Sequence, residues 1–326
     1  MSASGAAVSE AGLRSFVGLI QLFADGPHTP AAARSVDEPS ARGCEDGATP
    51  SGRSRTRSTL SAGNVRSGTI ASGDKGMGGV GLGMEGRREY TAPPITDAII
   101  EIRFAEELSA GNQRKLRKRL ARNYETALDQ KEVNVHVNFQ AAQADFSDSK
   151  SLVQLASLDQ ADRLVLRTQG LAWQRLAPYE GWDTFFARVQ ADFEAHHETV
   201  GLRKIERLGV RYVNRLDIPS SDGEVTRYED YLTINVEVPW PTIENYQWRV
   251  EKLFPESDLL AVLQSYIVAP EVPGTGAFIL DIDVIKQQNL PVKMDDLWAD
   301  LHAMRELKNN IFELCITDRA RGMFHK

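Results

Sequence analysis

The first 88 positions of the sequence have very few aromatic residues. Only Phe16 and Phe23 fall there, whereas the remaining 238 residues hold 23 of the 25 aromatic side chains. The same segment holds 16 of the 25 glycines. Burial of so little apolar area cannot offset the entropy lost on ordering a chain. We therefore expect residues 1–88 to be a disordered, low-complexity Gly/Ser-rich segment and residues 89–326 to form the folded core. A true start of translation at Met77 or Met84 is the alternative explanation.

Cysteines and long apolar runs are also scarce. Cys44 and Cys315 are the only two cysteines and lie 271 positions apart, which fits neither a disulfide framework nor a metal-ligand spacing. The apolar run Phe16–Ile20 is followed by Gln21 and is far shorter than the roughly 20 residues that span a bilayer. We expect a cytoplasmic protein without a membrane segment.

The folded core lacks the basic excess of a general nucleic-acid binder. The whole chain has a net charge of −7. Residues 1–88 carry +2, so the core carries −9. Nucleic acid is therefore not the expected partner, and an unknown protein or a small anionic ligand is expected instead. The basic run 114–122 could meet nucleic acid or an acidic partner, but a solvated helix face is the more common outcome for such a run.

Recognisable catalytic signatures are missing. The sequence contains no Gly-x-Ser-x-Gly, no P-loop and no Gly-x-Gly-x-x-Gly that opens a helix, and its six histidines form no ligand set. His196 lies on an apolar helical stripe, where a packed histidine is the usual outcome. We expect a non-enzymatic protein without a cofactor.

Hydrophobic periodicity predicts an α+β fold. Helical spacing occurs at 113–129, at 182–198 and from about 294, which gives about three main helices. Alternating apolar and polar residues predict largely antiparallel strands. The predicted strands cover 98–104, 133–139, 151–157, 163–168, 171–176, 203–217, 231–238, 258–268 and 277–286. A division of the core into two lobes, 90–199 and 200–326, is a further hypothesis.

Arginines recur at every fourth position of one predicted strand. Arg203, Arg207, Arg211 and Arg215 would share one strand face and, with Asn214, could bind phosphates or another polyanion. The alternative is a solvent-facing sheet surface whose arginines pair across strands with carboxylates such as Asp281, Asp283 or Glu237. Our leading hypothesis is a binding or accessory protein that uses this face.

Two aspartates on another predicted strand suggest a metal site. Asp281 and Asp283 follow the glycine turn Gly274–Gly276 and lie two residues apart, so both carboxylates face the same way. Such a pair can hold Mg²⁺ with substrate phosphates, as in a nucleotidyltransferase-like enzyme. No third acidic strand residue accompanies the pair, and two aspartates on the polar face of a strand are the simpler interpretation. The Mg²⁺-dependent enzyme is the alternative function.

Three segments together resemble a sporadically distributed family of uncharacterised prokaryotic proteins. They are the Pro-Pro-apolar opening strand in 90–104, the Gly-x-Arg-Tyr-x-Asn-Arg strand in 208–216 and the C-terminal His…Phe…Thr-Asp helix in 302–318. The resemblance covers residues 90 to about 320 and none of the first 88. It implies no activity, since the family has none to carry over.

Overall fold

The computed structural model describes residues 88–138, 143–220, 227–234 and 245–325. Apart from Arg88, the predicted disordered segment 1–88 lies outside these residues, as do Cys44 and Glu237. All that follows concerns the described residues.

One sheet organises the described part of the chain. Its nine strands lie in the order β2-β3-β4-β5-β1-β6-β9-β8-β7, and every neighbouring pair is antiparallel. The strands are β1 (Ile95–Phe104), β2 (Thr126–Asn138), β3 (Gln143–Ala156), β4 (Asp162–Arg167), β5 (Gly170–Leu176), β6 (Ile205–Pro219), β7 (Gln247–Phe254), β8 (Leu259–Val268) and β9 (Thr275–Lys286). Because β1 pairs with β6, the sheet continues across residue 200, where the two suggested lobes would divide.

Three main helices accompany the sheet, as expected, and the α+β prediction is confirmed. They are α1 (Ala110–Leu120), α2 (Trp182–Val200) and α3 (Met294–Cys315), followed by the short α4 (Asp318–Met323). None of the helices in the described ranges is long and apolar enough to cross a membrane.

Local chemistry sets the helix ends. The hydroxyl of Ser109 accepts a hydrogen bond from the backbone N–H of Asn112 at the start of α1. Helix α2 ends at Gly201, whose φ of 80° lies in the left-handed region and whose N–H donates to the carbonyl of His197.

The central strands have two chemically different faces. In β6 the even-numbered residues from Leu208 to Ile218 are buried and, with those of β1 and β9, pack under the helices. Aromatic side chains of α2, among them Phe185 and Phe193, fill one of the two apolar clusters on this side. From Arg207 to Asp217 the odd-numbered residues of β6 point to the opposite face of the sheet, whereas Ile205, beyond an irregularity in the pairing with β1, belongs to the core.

The predicted helix 113–129 is too long. Helix α1 ends at Leu120, a 3₁₀ turn covers Ala121–Asn123, and β2 begins at Thr126. Leu128 fits the helical spacing but lies in β2 and is 56% exposed. Tertiary contacts decide this boundary. Pairing of β2 with β3 and a buried hydrogen bond from Tyr124 to Asp192 outweigh the local helical preference.

The predicted strand 231–238 is also different in the structure. Residues 231–234 follow the 3₁₀ turn Tyr228–Asp230 and form one isolated bridge, between Leu232 and Ile316. Residues 235–238 lie outside the described residues. The edge strand β7, which the pattern analysis missed, completes the sheet instead.

A carboxylate that the sequence analysis did not single out joins α2 to the sheet. Asp192 is 1% exposed and accepts hydrogen bonds from Tyr124 Oη at 2.6 Å, Trp173 Nε1 at 3.1 Å and Asn123 Nδ2 at 3.1 Å. Three donors satisfy a charge that would otherwise be expensive to bury.

We predict that Asp192→Ala lowers the free energy of unfolding by about 3 kcal/mol, because it leaves two buried donors without an acceptor. Urea denaturation measures the change. Glu194→Ala, which removes an exposed carboxylate from the same helix, should change it by less than about 0.5 kcal/mol. Equal effects of the two variants would contradict the structural role of Asp192.

Candidate functional site

Ionisable side chains concentrate on the side of β1, β6 and β9 that lies opposite the described helices. We call this surface the arginine face. Six charged residues of these strands define it: Glu101, Arg207, Arg211, Arg215, Asp281 and Asp283. Strand alternation places the three arginines together, as the sequence predicts.

Two residues of the predicted site lie elsewhere. Arg203 precedes β6, its guanidinium lies 4.4 Å from the ring centroid of Phe104, and it donates to the carbonyl of Glu106. Asn214 is 2% exposed on the helix side of the sheet and donates from Nδ2 to the carbonyl of Leu280 at 3.0 Å. Because β6 begins at Ile205, strand alternation does not extend to Arg203 and does not place it on the arginine face. Asn214 is an even-numbered residue of β6 and therefore points to the helix side.

The most enclosed ion pair joins β6 to β9. Arg211 donates from Nε to Oδ1 of Asp281 at 2.7 Å and from Nη2 to Oδ2 at 2.5 Å. The side chain of Asp281 is 1% exposed and that of Arg211 is 11% exposed. Burial alone would lower the pKa of Arg211, but the Asp281 charge outweighs it and raises that pKa above its ordinary value.

A second cluster surrounds Glu101 on β1. Arg207 Nη1 pairs with Glu101, and Arg207 Nη2 lies 3.4 Å from Asp283. Arg103 Nε lies 3.1 Å and Arg167 Nη1 3.8 Å from the same glutamate. Burial raises the pKa of Glu101, but the three arginines outweigh it and hold that pKa below its ordinary value.

Asp283 has the weaker compensation. Burial raises the pKa of Asp283 above its ordinary value, against the opposing charges of Arg207 and Arg211. Asp283 is also paired less closely, since its Oδ2 lies 3.4 Å from Arg207 Nη2, whereas Asp281 accepts two shorter hydrogen bonds from Arg211.

The third arginine lies at the more open end of the face. Arg215 donates to Asp217, with an Nη2–Oδ1 distance of 3.0 Å, and its Nη1 lies 3.1 Å from Glu271. Glu271 is mostly exposed. Cross-strand and local carboxylates therefore pair with all three arginines of the face.

Gly209 makes room for this arrangement. It lies between Arg207 and Arg211 on the same strand face, and a Cβ there would come within 2.9 Å of Arg207 Nη1. The missing side chain lets the Arg207 guanidinium lie across the strand towards Arg211, which explains a glycine inside a long strand.

Asp281 and Asp283 bind guanidinium groups instead of forming a carboxylate cluster. Among the residues that the structure describes, no group of three His, Cys, Asp or Glu side chains could hold a metal ion. Mg²⁺ would have to compete with Arg211 and Arg207 for these oxygens.

The sequence analysis named Asp281 and Asp283 as possible partners of the arginines, and both pair with them, but it missed the partners that β1 and β4 supply. Glu101, Arg103 and Arg167 belong to β1 and β4, and their convergence follows from the strand order. The alternation of Glu101 and Arg103 with apolar residues indicates that both side chains share one face of β1. It does not indicate which strands lie beside β1 or which charged residues they contribute.

Comparison with protein-family models and with curated proteins finds no match for this chain.

We predict that the Arg211–Asp281 pair is strongly coupled. Arg211→Met and Asp281→Asn should each lower the free energy of unfolding by about 3 kcal/mol, because each leaves a buried group without its partner. The double variant should lose at least about 2 kcal/mol less than the sum, measured by urea denaturation in a double-mutant cycle.

The exposed pair Arg117–Asp129 is the matched control. It has the same two-bond geometry, at 2.8 Å and 3.0 Å, but its side chains are 41% and 63% exposed. Its coupling should be below about 1 kcal/mol. Similar coupling in both pairs would refute the importance of burial.

Asp97, at the margin of the arginine face, predicts a pH dependence of stability. Burial raises the pKa of Asp97 to about 6, although Gln174 donates to it at 2.5 Å. The carboxyl group of Asp97 therefore holds its proton more tightly in the folded protein than in the unfolded chain. As the pH rises from about 4 to 6 this proton is lost, and the ionised Asp97 increasingly destabilises the fold. The stability gained by Asp97→Asn should be about 1 kcal/mol larger at pH 8 than at pH 5.

Urea denaturation at the two pH values measures this difference, with Asp129→Asn as the exposed control. A gain that is the same at pH 5 and pH 8 would show that Asp97 titrates normally in the folded protein.

Proposed function

We propose that this protein is a non-enzymatic binding or accessory protein whose arginine face binds a small polyanion, a compound with phosphate or several carboxylate groups. The observation that carries the proposal is the row of three arginines, each positioned by a carboxylate, along one strand in the middle of the sheet. The family resemblance noted above adds no activity to this proposal.

Preorganisation supports the proposal. A guanidinium that is already fixed by packing and a carboxylate loses little side-chain entropy when it binds an anion. Asp281 grips Arg211 through Nε and Nη2 and leaves Nη1 outside that pair. Among the described residues Nη1 donates to no acceptor, and guanidinium groups match phosphate and carboxylate oxygens well.

The position of the arginines also supports binding. Rigid strands hold them at the centre of the sheet, where β6 is paired on both sides. Arg215 is the more accessible member at one end of the row, so a ligand with two anionic groups could contact Arg211 and Arg215 together. A partner protein that presents acidic side chains would use the same chemistry.

The Mg²⁺-dependent nucleotide-handling enzyme centred on Asp281 and Asp283 remains the alternative. It requires both aspartates to leave their guanidinium partners and a third ligand to join them. The observed pairing therefore favours the binding protein.

We predict that citrate or inorganic phosphate stabilises the protein through Arg211 and Arg215. At ten times its dissociation constant a ligand adds about 1.4 kcal/mol, which raises the melting temperature by about 3–6 °C for a core of this size. Thermal unfolding at constant pH and ionic strength measures the shift, which Arg211→Met/Arg215→Met should reduce to less than a third.

Arg117→Met/Arg119→Met is the matched control, because it removes two arginines from exposed ion pairs on α1. It should respond like the wild type. Equal responses of the two double variants, or no response of the wild type, would contradict the proposal. A shift that requires Mg²⁺ and disappears in Asp283→Asn would favour the enzyme instead.

A further inference from the structure

The sheet-facing side of α3 carries a lysine where apolar residues would be expected. Lys308 follows Met304 by one turn and precedes Phe312 by one turn, and all three side chains are buried. Met304 belongs to one apolar cluster of the core and Phe312 to the other. Lys308 therefore lies between the two clusters, on the side of the sheet opposite the arginine face.

The surroundings of Lys308 hold no carboxylate partner. Only 6% of its surface is exposed, and within the described ranges no acidic side chain forms an ion pair with it. Its Nζ instead lies 3.8 Å from the ring centroid of Tyr212. A ring face attracts an ammonium less strongly than a carboxylate does, so this contact offsets only part of the cost of burying the charge, and burial favours the neutral, nucleophilic amine.

Neighbouring groups reinforce this preference. Arg305, one turn earlier on α3, is also buried, and its Nη1 lies 2.9 Å from the half-exposed Glu306. Burial lowers the pKa of Lys308, and the charge of Arg305 adds to this effect against the weaker opposing charges of Glu306 and Glu313. Together these effects bring the pKa to about 7.

A hydroxyl pair lies beside the amine. Tyr212 Oη and Tyr179 Oη are 2.8 Å apart, and Tyr212 is 1% exposed. Burial raises the pKa of Tyr212 well above its ordinary value, so its hydroxyl keeps its proton and can serve as a donor. The position thus combines an unpaired amine, a second cation and neutral hydroxyl donors, which is the environment of lysines that form imines.

We propose that Lys308 is a covalent attachment site for a small carbonyl compound, an aldehyde or ketone, which its amine converts into an imine. The Nζ lone pair forms a bond to the carbonyl carbon, and the C=O π electrons move to the oxygen, which takes up a proton. The nitrogen then forms the C=N double bond as the C–O bond breaks. The two amine protons leave with the oxygen as one molecule of water, so no oxidant or reductant is needed.

Lys286 and Lys115 provide controls within the same chain. Lys286 is almost as buried as Lys308, at 9% exposure, but its Nζ lies 2.6 Å from Asp300 Oδ1. Lys115 is an exposed lysine of α1. Comparing the three separates the effect of burial from that of a missing carboxylate partner.

The test treats the full-length protein with isotopically labelled formaldehyde and cyanoborohydride from pH 6 to pH 10 and quantifies methylation by peptide mass spectrometry. At pH 7 the labelling rate of Lys308 should exceed that of Lys115 by about tenfold, since half of its amines are neutral against fewer than one in a thousand for an ordinary lysine. Its rate should level off above about pH 8, while that of Lys115 continues to rise about tenfold per pH unit. Lys286 should be the slowest.

Lys308→Met should lose the fast-labelled site and leave the rates of Lys115 and Lys286 unchanged. A Lys308 rate below that of Lys115 at pH 7, or one that rises in step with it to pH 9, would overturn the proposal. Because the decisive comparison is made on the unmodified sequence, it does not depend on the folding of any variant.

Discussion

The pairing of β6 with both β1 and β9 is the constraint on which the other features depend. A strand in the middle of a sheet alternates strictly between two faces, and here the helices cover only one of them. The even-numbered side chains of β6 therefore join the apolar core, while Arg207, Arg211 and Arg215 share the other face. Carboxylates of β1 and β9 pair with the enclosed charges of Arg207 and Arg211, whereas Asp217 and Glu271 pair with Arg215. The ion pairs follow from this topology.

Burial gives these ion pairs their energetic weight. The two-bond geometry of Arg211 with Asp281 also occurs between Arg117 and Asp129 on the surface, where solvent weakens it. In the sheet, loss of one partner leaves an uncompensated charge at low dielectric. Lys308 is enclosed as well, but within the described ranges no acidic side chain forms an ion pair with it. The arginine row and this lysine lie on opposite sides of the sheet.

Particular residues illustrate what periodicity could predict and where it failed. Phe185 and Phe193 lie on one stripe of α2, as their spacing indicates, and Cys315 is buried as a small apolar residue. Leu128 fits a helical spacing just as well but belongs to β2, because a bond from Tyr124 to Asp192 and pairing with β3 end the helical segment earlier. Spacing also grouped Arg203 with the other arginines, although β6 begins only at Ile205. Periodicity describes one segment at a time and cannot include such distant partners.

The sequence by itself determined the α+β class, the approximate positions of most strands and helices, and the common face of Arg207, Arg211 and Arg215. These are consequences of local periodicity and strand alternation. Only the tertiary structure decided which carboxylate each arginine meets, that Asp281 and Asp283 pair with arginines as one of the two sequence hypotheses stated, and that Lys308 has no acidic ion-pair partner among the described residues. The strand order and the packing of α3 against the sheet bring together residues that are far apart in the chain, such as Tyr212 and Lys308. Their chemistry depends on burial and distance, which a linear pattern does not contain.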